Sequence, residues 1–157
     1  MDKQNWAPVK DDVLLDVRGL KTHFHTEAGT AKAVDGVDFH IKKGEVFGIV
    51  GESGSGKSVT ALSLIRLIPN PPGEIVAGQA LFQDIDLLNV PLRELYKIRG
   101  REIAMIFQEP MTSLNPVYTI GMQVKEIISY HNFVSPDRVF EHAVSMLRQV
   151  GIPDAEK

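Results

Sequence analysis

Between residues 13 and 41, apolar and polar positions alternate in short runs, the pattern of half-buried strands. "VLLDVRGL" (13–20), "KTHFHTE" (21–27) and "AKAVDGVDFHI" (31–41) read as strands broken by Gly19, by "EAGT" and by "DGV", in an antiparallel meander. "KKGE" is a turn that launches the next run. There Val46, Phe47, Ile49 and Val50 are nearly continuous, which predicts a strand buried on both faces. From Ser58 onward the period changes. Val59, Leu62, Ile65 and Leu67 recur at near-helical spacing, and the helix must stop at Pro69-Asn70-Pro71-Pro72-Gly73. "GQALFQDIDLL" predicts a short strand and turn, and "PLRELYKIRG" a helix with proline at its start and glycine at its end. "EIAMIF" (102–107) predicts a strand that ends in the proline-marked loop "QEPMTSLNPVYT". "GMQVKEIISYHNF" and "PDRVFEHAVSMLRQVGI" predict two helices, the second with Ser135 as N-cap and Pro136 at its first position.

Between the apolar run at 46–50 and the helical pattern sits Gly51-Glu52-Ser53-Gly54-Ser55-Gly56-Lys57-Ser58, which fits G-x-x-x-x-G-K-[ST] at every fixed position. Glycines permit backbone angles that point several N–H groups into one concavity. A helix N-terminus adds about half a positive charge. Lys57 supplies a full charge for β- and γ-phosphates, and the Ser58 hydroxyl is placed to ligate Mg²⁺. This loop predicts a nucleoside triphosphate as ligand. Strands mixed with helices around it predict an α/β nucleotide-binding core with a smaller antiparallel sheet beside it.

Composition narrows the picture only a little. The chain has 157 residues, enough for one globular core. A net charge of −3 gives no strong pull toward nucleic acid. The absence of cysteine removes disulfides, thiolate metal sites and a cysteine nucleophile. The start "MDKQNWAPVKDD" lacks the apolar core of a signal peptide, and no apolar run approaches the roughly 20 residues that span a bilayer. His23 and His25 lie on one strand face, where a solvated face is the expected reading. Trp6 reads as surface packing.

Four stretches give the chain a family resemblance: "LKTHFHTEAGTAKAVDGVDF", "GEVFGIVGESGSGKSVTALSLIRLIP", "IRGREIAMIFQEPMTSLNPVYTIGMQ" and "LRQVGIPDAEK". It resembles the ATP-binding-cassette (ABC) ATPases, in particular the ATPase subunits of oligopeptide and dipeptide importers. "IFQEPMTSLNP" carries the importer likeness. The resemblance implies a division into an N-terminal segment (1–12) and the N-terminal part of an ABC nucleotide-binding domain (13–157), a P-loop core that is incomplete, with an antiparallel β subdomain. It makes 51–58 a Walker A loop for ATP and Mg²⁺. Gln108 becomes the glutamine of a Q-loop, approaching Mg²⁺ and the attacking water and linking the ATP site to the membrane subunit. A neutral amide suits that task, since its oxygen can ligate Mg²⁺ and its NH₂ can donate to water. Phe24 falls where the family carries an aromatic that stacks on adenine, against the alternative that it simply faces a core. Residues 109–118 would lie toward the membrane partner. The implied partners are transmembrane permease subunits, a second ATPase subunit (the same or a different chain) and, indirectly, a periplasmic or extracellular peptide-binding protein. The implied location is the cytoplasmic face of the membrane.

The same resemblance sets an expectation about what lies beyond "VGIPDAEK". The family continues into a serine-glycine-glycine signature, a Walker B strand ending in Asp-Glu, and a switch histidine. The chain therefore reads as the N-terminal portion of a longer subunit. It would carry the phosphate cradle without the catalyst, and it is expected not to turn over alone. Strands of the other half would lie between the phosphate-loop strand and the Q-loop strand, so these edges are expected to be unpaired. Alternative readings are a non-catalytic nucleotide-binding fragment, another P-loop enzyme or a non-transport ABC ATPase. No Asn-Lys-x-Asp follows the loop, and Asp16-Val17-Arg18-Gly19 precedes it, the wrong order for a GTPase. "QEPMTSLNP" and the lack of a basic patch argue against a nucleic-acid role.

Overall fold

In the computed structural model, which describes residues 12–108 and 113–156, β1 (Val13–Thr26) and β2 (Gly29–Lys42) form a long antiparallel hairpin. The Thr26 hydroxyl donates to the Gly29 carbonyl at 2.9 Å and closes the turn predicted at "EAGT". The chain divides into two compact units, Met1–Tyr96 and Lys97–Lys157. In the first, β3 (Gly73–Phe82) lies on the other side of β1, and β4 (Ile85–Asp86) pairs with the end of β3, giving the order β2-β1-β3-β4. Trp6 and most of the segment 1–12 lie outside the described residues.

Gly19 does not break β1, as the sequence predicts; it is a bulge inside it. Between Val17 and Leu20 β1 carries one residue more than β2 opposite it, and between Arg18 and Lys21 one more than β3. Gly19 (φ +55°) absorbs the extra residue in a left-handed conformation that costs glycine little. The "DGV" break is likewise a bulge, at Gly36 (φ +91°) in β2. A Cβ at Gly78 in β3 would lie 2.6 Å from Leu20 Cα, so the bulged strand needs a glycine beside it. The bulge also resets the phase of burial. Val13, Leu15 and Val17 are buried ahead of it, Leu20 and Thr22 after it.

Helix α1 (Lys57–Leu64) covers that face at Thr22. It ends ahead of Pro69, and Arg66 (φ +52°) turns the chain away while its guanidinium donates to the Val90 carbonyl at 2.7 Å. Thr22 and Ser63 are both fully buried, and their hydroxyl oxygens are 2.7 Å apart. Ser63 donates its one proton to the Val59 carbonyl, also at 2.7 Å, so Thr22 is the donor to Ser63.

Two predicted strands are not formed. Residues 46–50 join no ladder, with Val46 99% and Val50 94% exposed. Phe47 stacks on Phe39 of β2 at 5.2 Å, which ties the run to the sheet by one ring. At 102–107 there is a single parallel bridge, Arg99 to Ile103, and Ile106 is 97% exposed. The apolar pattern is that of central parallel strands, but a strand exists only where neighbours accept its hydrogen bonds. Among the described residues no strand runs beside either segment.

α2 (Leu92–Ile98) leads into the second unit and ends at Gly100 (φ +81°) as predicted. Gly100 lies under the buried His131 ring; a Cβ there would be 2.9 Å from His131 Nε2. In α3 (Ile120–Tyr130) Thr119 is the N-cap, accepting from the Met122 N–H at 3.3 Å. Ser135 is not the side-chain cap expected of it. It precedes a single 3-10 turn (Pro136–Arg138), makes no capping hydrogen bond, and α4 begins later (Val139–Gln149). Ile128, Val139 and Ala143 form this unit's core, with Val124 and Val134 against them. No helix among the described residues is long and apolar enough to cross a membrane.

Ser63→Ala is expected to cost more stability than Thr22→Val. The first strands a buried Thr22 donor, worth about 1–3 kcal/mol; the second removes a donor and leaves Ser63 bonded to Val59, worth about 1 kcal/mol. Urea midpoints of the two variants check this, and the reverse order would show that Thr22 finds another acceptor.

Candidate functional site

The phosphate-loop motif is built on two supports: β2 beneath it and α1 after it. Gly56, the N-cap of α1, sits at φ +91°. A Cβ on Gly56 would collide with the Ala33 carbonyl oxygen and lie 3.6 Å from Val34 Cγ2, so the loop rests on β2 with nothing between. The Thr60 amide and hydroxyl both donate to the Gly56 carbonyl, at 2.8 and 2.9 Å, and fasten the start of the helix. Gly54 (φ +79°) and Gly56 both take left-handed angles, the kind of backbone from which anion-binding concavities of N–H groups are built.

Lys57 lies across the loop. Its ammonium donates to the Gly51 carbonyl at 2.8 Å and the Glu52 carbonyl at 2.7 Å, with Ser55 Oγ at 3.5 Å. The Ser55 amide donates to the Glu52 carbonyl at 3.2 Å and closes the turn. A Cβ at Gly51 would be 2.6 Å from Ser55 Oγ and 3.3 Å from Ser55 Cβ, so a larger residue there would have to displace the Ser55 side chain. Ser53 and Ser58 are exposed, Ser58 in the first turn of α1, where N–H groups have no intrahelical acceptor. That turn carries no acidic side chain, so the positive end of the helix is not offset. A fixed ammonium, first-turn N–H groups without intrahelical acceptors and an exposed hydroxyl suit a polyphosphate with a hard cation.

Phe24 is half-buried on the face of β1 that carries Thr22, opposite Ala31 of β2 and Gly73 of β3. Along β2, Ala31 is two residues from Ala33, about 7 Å of strand. Phe24 and the loop are thus brought to neighbouring strands of one unit. His23 and His25 face the other side. His25 meets Thr30 Oγ1 at 3.1 Å and Glu74 Oε2 at 3.2 Å, while His23 Nε2 is 4.0 Å from Asp35 Oδ1. Asp35 is held below its ordinary carboxylate pKa, first by the hydrogen bond from Lys21, at 3.1 Å.

Gln108 belongs to the second unit and is exposed in a bend. Of the stretch 109–118, residues 109–112 lie outside the described residues. The rest is clasped by a side chain that sequence reasoning passed over. Gln123 Oε1 accepts from the Asn115 amide at 2.8 Å, and its Nε2 donates to the Asn115 and Tyr118 carbonyls at 3.0 and 3.1 Å. An amide one turn into a helix after a proline-rich loop was the available signal.

The sequence profile of the family described as ABC transporter matches residues 34–157. A probable peptide ABC transporter ATP-binding protein of Sinorhizobium fredii is 51% identical over 148 residues, which are 94% of this chain and 44% of that protein. The oligopeptide transport ATP-binding protein OppD of Bacillus subtilis is 47% identical over 144 residues, 92% of this chain and 40% of OppD. The chain thus spans less than half the length of these relatives. Among solved structures, a dimeric ATP-binding cassette in a post-hydrolysis state bound to ADP and Pi superposes with a TM-score of 0.65 at 22% identity, over 85% of this chain and 57% of that one. The cbiO1 protein of Clostridium perfringens, part of the ABC transporter complex cbiONQ, gives 0.63 at 23% identity, over 94% and 54%. The fold is that of part of an ABC cassette.

Gly56→Ala is expected to destabilise the chain more than Gly54→Ala. Both put a side chain at positive φ, at about 1–2 kcal/mol, but only Gly56 also meets a backbone oxygen; Gly54 faces open space. Equal shifts in urea midpoint would mean that β2 does not support the loop.

Proposed function

Since the chain belongs to the ABC transporter family, we propose that residues 51–58 bind the phosphates of MgATP as part of a peptide-importer ATPase subunit. The observation that carries the reading is the Lys57 ammonium fastened across the loop by the Gly51 and Glu52 carbonyls, in a loop that holds two left-handed glycines. The importer class rests on the names of the relatives, which are peptide and oligopeptide transport proteins.

In this reading N–H groups of the loop other than that of Ser55, which is bonded to the Glu52 carbonyl, take up phosphate oxygens, and Lys57 exchanges part of its carbonyl bonding for the β- and γ-phosphates. Ser58 holds the metal through its hydroxyl. Mg²⁺, when bound, supplies neutralising charge to the phosphate oxygens. Phe24 stacks on the adenine. The Gln108 role, metal ligation and water orientation with a link to the membrane subunit, rests on its sequence context alone. The longer subunit would couple hydrolysis to transport. It would sit on the cytoplasmic face with permease subunits and a second ATPase subunit, and a peptide-binding protein would select the cargo.

Two experiments test the proposal. Isothermal titration of the 157-residue chain is expected to show MgATP binding that Lys57→Ala abolishes or weakens greatly. Phosphate release from the unaltered chain is expected to stay at the Lys57→Ala background, because these 157 residues hold no Asp-Glu pair after the loop. Unchanged affinity in the variant would sink the phosphate-loop reading. In an assembled transporter, Gln108→Ala is expected to cut transport-coupled hydrolysis more than ATP binding; equal losses would make Gln108 a structural residue.

A further inference from the structure

The glycine at 73 has no conformational reason to be there. Its φ lies outside the left-handed region, so any residue could adopt its backbone. What it provides is space. A Cβ at that point would lie 2.9 Å from Phe24 Cε1 and 3.0 Å from the Pro69 carbonyl oxygen, and would collide with Ile68 Cγ2. The edge of the Phe24 ring and the Ile68 methyl therefore converge on the bare Cα of Gly73, which is buried and directly opposite Phe24 in the ladder. The surrounding backbone is tied down. The Gly73 amide donates to the Pro69 carbonyl at 2.9 Å, and the His25 amide donates to the Pro72 carbonyl at 2.8 Å. The His25 ring reaches Thr30 on one side and Glu74 on the other, so both strands flanking Phe24 are held at its own level.

We infer that Gly73 is a positioning residue for base recognition: its missing side chain is the seat on which Phe24 rests, and Ile68 is the wall behind it. The inference rests on the reading of Phe24 as the base-stacking residue. A ring that stacks on a purine must present its face, and a face is fixed only when an edge is anchored. Gly73 and Ile68 anchor that edge, while the phosphate loop contacts β2 at Ala33, away from the seat. The base and the phosphates are thus served by separable parts of one unit.

Separability is what the experiment reads. The 157-residue chain and its variants are titrated with ATP, GTP and inorganic tripolyphosphate, each with Mg²⁺. Phe24→Ala is expected to weaken ATP and GTP together, by about 5- to 150-fold, and to leave tripolyphosphate unchanged. Gly73→Ala is expected to show the same selective loss, and to add less than about twofold in the Phe24→Ala background, because the two residues act as one. Ile68→Ala leaves the turn's backbone untouched and is expected to lose base-bearing ligands in the same direction, which keeps the test open should Gly73→Ala not fold. If Phe24→Ala leaves ATP unaffected, the stacking reading itself fails, and this inference with it. If Phe24→Ala weakens ATP but Gly73→Ala and Ile68→Ala do not, only the seat is wrong. Loss of tripolyphosphate in step with ATP in either variant would show collapse of the loop, and would overturn the inference too.

Discussion

One extra residue in β1, at Gly19, decides what the first unit can do. Side chains on a strand alternate with a strict period of two, so an insertion moves every later residue to the opposite face. Had β1 run without the bulge, the core face set by Val13, Leu15 and Val17 would have continued through Gly19, Lys21 and His23. Thr22 would then have pointed away from Ser63, and Phe24 away from the face that α1 covers. The bulge is accommodated because Gly36 and Gly78, in the two flanking strands, also stand at positive φ. Three glycines at one level of three strands act as a single device. The helix that follows the phosphate loop is bonded to the sheet by a hydroxyl whose direction this device sets.

Much of this was legible in the chain, and the limits are physical. The phosphate loop is a local conformation written in local residues: glycines where φ is positive, a lysine and a serine opening a helix. Both glycines that needed it, Gly54 and Gly56, do take left-handed angles. The hairpin turn and the glycine stop after α2 were readable for the same reason. Residues 46–50 and 102–107 were not, because apolar content says that a segment wants to be buried and not which strands will flank it. Gly19 and Gly36 looked like breaks because a bulge and a turn draw on the same residue types.

The site shows the same split. The sequence singles out Lys57 and Ser58, but not that Gly56 must touch the Ala33 carbonyl or that Lys57 would be held by the loop's own oxygens. Those are contacts between residues distant in the chain or settled by side-chain rotamers. Gln123 illustrates the cost of reading motifs alone. Its three hydrogen bonds order the loop from Asn115 to Tyr118, yet no spacing rule marks it.

The exposed run at 46–50 carries a consequence for the behaviour of many copies in solution. Val46-Phe47-Gly48-Ile49-Val50 is uncharged, rich in β-formers and free of proline, which is the composition from which cross-β stacks are assembled. It delivers the chain into the phosphate loop, and Phe47 ties it to β2 by stacking on Phe39. Charge is placed at its borders instead. Glu45 precedes the run, with its carboxylate taking the Lys42 amide at 2.7 Å, and Glu52 follows it in the loop. Copies stacked in register would set Glu45 on Glu45 and Glu52 on Glu52, and like charges directly opposite are destabilising. In such a stack the two carboxylates would oppose self-assembly from either side of the apolar run.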